Sequence, residues 1–241
     1  MTVRAGIIGL GVGEQHIAGY RAHPEAEVVA LCDLDEAKRA MARERYPGLR
    51  VTADPLEVLT AEDVDVVSVA SYDDAHFEQV RLAFEHGKHV FCEKPLCLYE
   101  EEARELRRLQ RETGLRLSSN VPLRRSPRFR LLREMIERGE LGRLFHLEGD
   151  YDYGRRHKLT DGWRGRIPWY SVVLGGAIHL VDLLLWLSRD RPVEAMALGS
   201  RIATEGTAFR HQDFVVALLR LESGATAKVT ANLGCVSPHF H

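Results

Sequence analysis

The chain has 241 residues, 45% apolar and 28% charged, with 33 Lys plus Arg against 35 Asp plus Glu and a formal net charge of -2. This composition excludes disordered, collagen-like and fibrous architectures, and the length allows one large domain or two smaller ones with their own cores. The two signs are balanced and neither forms a long run, so no general field draws nucleic acid or an anionic membrane, and neither is an expected partner.

The first apolar run, residues 3–8, ends in glycines rather than in a small-residue cleavage site, so it reads as a strand and not as a signal peptide. Further β-branched runs at residues 27–32, 64–70 and 89–92 alternate with amphipathic helical stretches such as 35–46 and 98–113. That alternation predicts a doubly wound parallel sheet over residues 1–120.

The first βα turn carries Gly9-Leu-Gly11-Val-Gly13, directly between the first strand and a helical pattern. Gly9 allows a tight turn, and Gly11 lets a pyrophosphate approach the backbone at a helix amino terminus. Glu14 stands where the third glycine of the motif is usual, so Gly13 is expected to serve the helix–strand packing, with Glu14 turned away. Asp33 ends the second strand and is placed to accept hydrogen bonds from an adenine ribose. These are the marks of an α/β Rossmann domain holding NAD. NADP is disfavoured by the Asp33 carboxylate, although Lys38 and Arg39 stand nearby.

After residue 120 the grammar changes. Pro122, Pro127 and an arginine cluster precede a helix ending near Arg138. Extended patterns at 144–153, 193–202, 214–221 and 225–232 then follow, with one strong helix at 176–187. Strands in succession predict an α+β domain over residues 121–241 with an open, mostly antiparallel sheet. A sheet with one uncovered face commonly buries it against a copy, so a homo-oligomer through this sheet is expected.

Ser68-Val-Ala-Ser71-Tyr-Asp-Asp-Ala-His76, Glu93-Lys94-Pro95 at a strand end, Asn120 followed by Arg124, Arg125 and Pro127, and Gly176-Ala-Ile-His179-Leu-Val-Asp182 together resemble the Gfo/Idh/MocA oxidoreductases. The resemblance covers almost the whole chain. It implies NAD(P)-dependent oxidation or reduction of sugars and cyclitols. Lys94 matches the active-site lysine and His179 the proton-handling histidine. Ser71, His76, Glu93 and Asn120 join Gly9, Gly11, Gly13, Asp33 and Lys94 as implied cofactor contacts. One departure stands out: the aspartate common four residues before that histidine is Gly175 here. Base chemistry must then rest on His179 and Lys94, or on a group brought in from a loop.

The substrate is sought in Tyr151-Asp-Tyr-Gly-Arg155-Arg156-His157-Lys158, Gly162-Trp163-Arg164-Gly165-Arg166 and Pro168-Trp169-Tyr170. Rings interleaved with cations suit a carbohydrate, and guanidinium forks suit an anionic or nucleotide-linked one. Tyr151, Arg155, Arg156, His157, Trp163 and Arg164 are the expected contacts. Asp182, one turn after His179, either orients that histidine or grips a sugar hydroxyl.

Three functions stay open: a dehydrogenase acting on CH–OH, an enzyme that retains NAD for a net non-redox step, and a non-catalytic sensor of NAD or sugar. Cys32, Cys92, Cys97 and Cys235 lack Cys-x-x-Cys spacing, which points to a reducing, cytoplasmic compartment. The longest apolar run, 177–187, falls short of the ~20 residues that span a bilayer. His239 and His241 alternate on one face, yet nothing at zinc spacing completes a set, so no metal is expected. The last residues, 231–241, read as the exit from a strand, which predicts a piece of a longer protein.

Overall fold

The computed structural model describes residues 2–235, so His239 and His241 lie outside the described residues. The chain divides into two compact units, Met1–Asn120 and Val121–His241.

In the first unit six strands pair in parallel: β1 (Val3–Ile8), β2 (Ala26–Cys32), β3 (Arg50–Thr52), β4 (Val66–Val69), β5 (His89–Cys92) and β6 (Leu117–Ser119). Their order is β3-β2-β1-β4-β5-β6, which places the point where the winding reverses between β1 and β4. Parallel neighbours need crossovers, supplied by helices α1 (Glu14–Arg21), α2 (Glu36–Arg45), α3 (Leu56–Leu59), α4 (His76–Glu85) and α5 (Glu100–Thr113). With helices on both faces, successive residues of β1 enter different cores. Ile7 packs with Leu10, Ile17 and Leu31, whereas Ile8 packs with Val58, Val67 and Phe84. The doubly wound sheet expected from the sequence is the one observed. The edge strands β3 and β6 are three residues each, too short for a hydrophobic period to show.

One ion pair ties β1 to the turn before β4. Arg4 donates from its main-chain N–H (2.8 Å), Nε (3.0 Å) and Nη2 (2.9 Å) to Asp65. These hydrogen bonds hold the Asp65 carboxyl down at about 2. A carboxyl depressed below its unfolded value, about 3.9, stabilises the fold above that value and loses the contribution as pH falls through the folded one. Asp65→Asn is therefore expected to lower Tm at neutral pH. The gap to the parent should close as the pH of the melts is taken from about 4 down toward 2.

The second unit carries β7 (His146–Asp152), β8 (Pro192–Ser200), β9 (Phe214–Leu221) and β10 (Thr226–Asn232) in the order β7-β10-β9-β8. Pairing is antiparallel at β10–β9 and β9–β8 and parallel at β10–β7, a mostly antiparallel sheet as expected. Helices α6 (Pro127–Glu137), α7 (His157–Thr160) and α8 (Ile178–Ser188) accompany it. The helix expected from residue 176 instead begins with a wide π turn, Val173–Ala177, before α8 proper. Gly149 on β7 admits Leu180 of α8, which a Cβ there would meet at 3.3 Å. On the opposite face Met196 and Leu198 of β8 and Leu218 of β9 are exposed. Among the described residues no helix is long and apolar enough to cross a membrane.

Candidate active site

The carboxyl ends of β1 and β2 shape the first half of the site. Gly9 has φ +89°, and its N–H donates to the Cys32 carbonyl at 2.8 Å. A Cβ on Gly9 would stand 2.2 Å from the Ala70 carbonyl oxygen, and one on Gly13 would stand 2.2 Å from the Gly9 carbonyl oxygen. Neither position tolerates a side chain. Gly11 differs, because the nearest atom to a Cβ there is Lys38 Nζ at 3.9 Å, so its backbone faces open space. Glu14 is held off the turn by Arg45 and by the Tyr46 hydroxyl at 3.2 Å.

Asp33 is 8% exposed, and its carboxylate accepts from Leu10 N–H (2.7 Å), Asp35 N–H (2.9 Å) and Lys38 Nζ (3.2 Å). A carboxylate tied to the glycine turn on one side, with Gly11 bare beside it, fits the ribose and pyrophosphate of a dinucleotide. The geometry separates the glycines experimentally. Gly9→Ala should cost more than about 2 kcal/mol of folding free energy, from forced positive φ plus the clash. Gly11→Ala should melt with the parent and lose only NAD affinity, as paired urea melts and NAD titrations would show.

Glu93 and Lys94 follow β5 directly. Glu93 accepts at a single oxygen from His16 Nε2 (3.1 Å) on α1 and Asn120 Nδ2 (2.6 Å) after β6. Burial pushes the Glu93 carboxyl up, but those two hydrogen bonds outweigh it and hold the group below the ordinary range. Asn120 N–H is anchored to the Cys92 carbonyl at 2.8 Å. Lys94 is half-buried and joined to Pro95 by a cis peptide bond. His16 escaped the sequence reading, although a histidine one turn past a glycine loop is a visible signal.

Two expected cofactor contacts have side chains engaged with the protein itself. His76 is 1% exposed, with Nδ1 2.6 Å from the Pro95 carbonyl and Nε2 3.2 Å from the Ser71 carbonyl, so the ring is enclosed between two main-chain carbonyls, to one of which its neutral form donates. The Ser71 hydroxyl is committed to Gln79 Oε1 at 2.7 Å, which leaves its main chain as the part near the turn.

In the second unit, His179 on α8 lies 6.2 Å from the Tyr151 ring, and Tyr151 stacks on Tyr153 at 5.6 Å. Arg155 reaches over the Tyr153 ring at 5.2 Å, and Lys158 Nζ donates to the Tyr153 hydroxyl at 2.8 Å. Arg164 lies over Trp163 at 4.6 Å and donates from Nε to the Tyr170 hydroxyl at 3.1 Å. Arg156 and His157 are exposed at the start of α7.

Asp182, expected to serve His179 or the substrate, is instead gripped by both arms of the Arg124 guanidinium, Nε at 2.7 Å. Its carboxylate is already paired by a residue of the short turn Pro122–Arg125 that precedes α6. Gly175 also has a structural reason: a Cβ there would lie 2.0 Å from the Tyr170 hydroxyl oxygen. The Tyr170 phenol, 5% exposed, fills the place that an acidic side chain would need. Tyr170 was noted in the sequence only as part of an aromatic segment, because packing onto a glycine five residues later leaves no local pattern.

A glycine turn between strand and helix on a six-strand parallel sheet defines a dinucleotide-binding Rossmann fold, here followed by a mixed-sheet unit in which His179 meets Tyr151. Residues 3–121 match the model of the oxidoreductase family with the NAD-binding Rossmann fold, and residues 129–240 match the GFO/IDH/MocA C-terminal domain. The chain belongs to the Gfo/Idh/MocA oxidoreductase family, and its first unit is an NAD-binding Rossmann domain.

The chain is 32% identical over 239 residues to inositol 2-dehydrogenase 3 of Saccharopolyspora erythraea, covering 98% of this chain and 68% of that protein. It is also 32% identical over 236 residues to the 1,5-anhydro-D-fructose reductase of Ensifer adhaerens, covering 93% and 68%. In fold it is similar to the crystal structure of myo-inositol 2-dehydrogenase from Lactobacillus plantarum, with TM-score 0.89 and 24% identity over 98% of this chain and 71% of that one.

Proposed function

We propose that the protein transfers a hydride between NAD and a secondary hydroxyl of a sugar, cyclitol or sugar derivative. Lys94 and His179 would handle the proton. The observation that carries this reading is the His179 ring 6.2 Å from Tyr151, whose stacking partner Tyr153 lies under Arg155, in a chain whose other unit is an NAD-binding Rossmann domain. Relatives named as an inositol dehydrogenase and an anhydrofructose reductase support it.

Gly9, Gly11 and Gly13 would seat the pyrophosphate, Asp33 the adenine ribose, and Glu93 with Asn120 the edge of the site beside Lys94. Bound NAD supplies the hydride acceptor. Lys94 holds its ammonium at the substrate oxygen and stabilises developing alkoxide charge, while His179 exchanges the hydroxyl proton. Trp163, Arg164, Tyr151 and Arg155 offer ring faces and guanidinium donors to the remaining hydroxyls or to an anionic group. The first unit thus serves as the dinucleotide domain and the second as the substrate domain.

Incubation with NAD and a panel of inositols and sugars tests the reading. Stoichiometric NADH with at least one polyol is expected. Product without net NADH would point to transient redox on a retained coenzyme, and NAD binding without turnover of any polyol would point to a sensor.

The exposed Met196 and Leu198, paired across from Leu218 and Val216 on one face of the sheet, support a homo-oligomer formed through that face. Leu198→Glu is expected to shift the mass seen by light scattering toward the monomer; an unchanged mass would remove this interface. A reducing, cytoplasmic setting is supported by four free cysteines, two of them buried.

A further inference from the structure

With Gly175 on the histidine helix and Asp182 neutralised by Arg124, the second unit presents no free acidic side chain beside His179 from that helix. The loop leaving β7 carries a proton-bearing group of another kind, the Tyr153 phenol. Tyr153 follows the strand directly, its N–H fixed to the Asn232 carbonyl at 2.8 Å, so its main chain is an extension of the sheet. The Lys158 ammonium donates to its hydroxyl at 2.8 Å from the first turn of α7, whose N-cap is Arg156. The Arg155 guanidinium covers the ring at 5.2 Å. Tyr151 also stacks against it at 5.6 Å, and Tyr151 in turn meets His179 at 6.2 Å. A half-buried phenol, a lysine on its oxygen and a ring contact leading to the proposed catalytic histidine form one connected cluster.

Resting on the function proposed above, we propose that the Tyr153 hydroxyl, held by Lys158, is a further catalytic proton carrier acting on the same substrate as His179. In the oxidising direction the substrate O–H bond breaks and its proton leaves either to His179 or, by this second route, to the Tyr153 phenolate oxygen, which then becomes the neutral phenol. The C–H electron pair leaves as hydride to NAD, the oxidant that the proposed function already includes, so charge and electrons balance. In the reducing direction the phenol returns the proton to the new alkoxide. Lys158 is the positioning residue: its ammonium donates to the phenolate and stabilises it.

The charges around Tyr153 agree with this role. Burial alone would raise the phenol, but the hydrogen bond from Lys158 and the charges of Lys158, Arg155 and Arg164 more than offset it and bring the group below the ordinary tyrosine value. Tyr151, by contrast, is held above that value, chiefly by burial. The one carboxylate adjacent in sequence, Asp152, accepts from Asn232 Nδ2 at 2.8 Å.

Two readouts test the proposal, one of them independent of turnover. In an ultraviolet difference titration of the whole protein, the first tyrosinate to form on raising pH should be absent in Tyr153→Phe and displaced to higher pH in Lys158→Met. In the pH profile of kcat/KM, Tyr153→Phe should lower the plateau by about 10²-fold, and Lys158→Met should move the limb upward with Tm unchanged. An early tyrosinate step that persists in Tyr153→Phe, or a pH profile unmoved by either substitution, overturns the assignment. Lys94→Ala separates the layers. If it abolishes NADH formation while Tyr153→Phe does not, only the Tyr153 role fails; if neither matters, the proposed function fails with it.

Discussion

Lys94→Ala is expected to lower kcat/KM by about 10² to 10⁴-fold while NAD affinity stays within severalfold of the parent, because an acid–base group contributes in the transition state and little to ground-state binding. The structural basis is the strand exit. Lys94 follows Glu93, whose carboxylate is fixed from two elements by His16 and Asn120, and precedes Pro95, whose carbonyl is met by the buried His76. The residue is thus flanked by two anchored positions, so its loss should remove a functional group without loosening the sheet. Steady-state kinetics with isothermal titration of NAD would check both halves. Parent-like turnover would remove Lys94 from the chemistry, and lost NAD binding with parent-like melting would make it a binding residue only.

Gly175→Asp, which restores the carboxylate common in the family, is expected to damage the protein rather than improve it. The new Cβ would stand 2.0 Å from the Tyr170 hydroxyl oxygen and 2.7 Å from its Cζ, so the ring must leave its place. That ring is edge-on to Phe209 at 6.1 Å and to Trp163 at 6.4 Å, and its hydroxyl accepts from Arg164. Overpacking of this kind, together with a carboxylate pressed into an occupied space, costs roughly 2–4 kcal/mol. Urea melts should show the loss, Gly175→Ala should show part of it, and turnover should fall in both. An aspartate variant with parent-like stability and higher turnover would mean that Tyr170 yields easily and that the glycine is incidental.

The sequence carried the first unit well because each of its signals is local. Residues 3–8 and 89–92 became β1 and β5 unchanged, since strands buried on both faces are continuous apolar runs. The glycine turn could be read because its steric demand falls on consecutive residues. The second unit's mostly antiparallel sheet was also legible, from strands in succession.

Pairings between distant residues were not legible. Arg124 reaches Asp182 across 58 positions, and His16 reaches Glu93 across 77, so neither could be seen in a helical or strand period. His76 sits in a motif that implied cofactor contact, yet burial turned both of its nitrogens to main-chain carbonyls. The π turn before α8 has no local residue rule that a sequence period would show, and two of its residues, Gly175 and Gly176, lie against the Tyr170 and Tyr151 rings.

The most direct test is a crystal structure of the protein grown with NAD and a polyol that it turns over. The pyrophosphate is expected along Gly9 to Gly13, the adenine ribose on Asp33, and the polyol's reacting hydroxyl within hydrogen-bonding reach of both Lys94 and His179. A coenzyme seated away from the glycine turn, or a bound polyol touched by neither side chain, would contradict it.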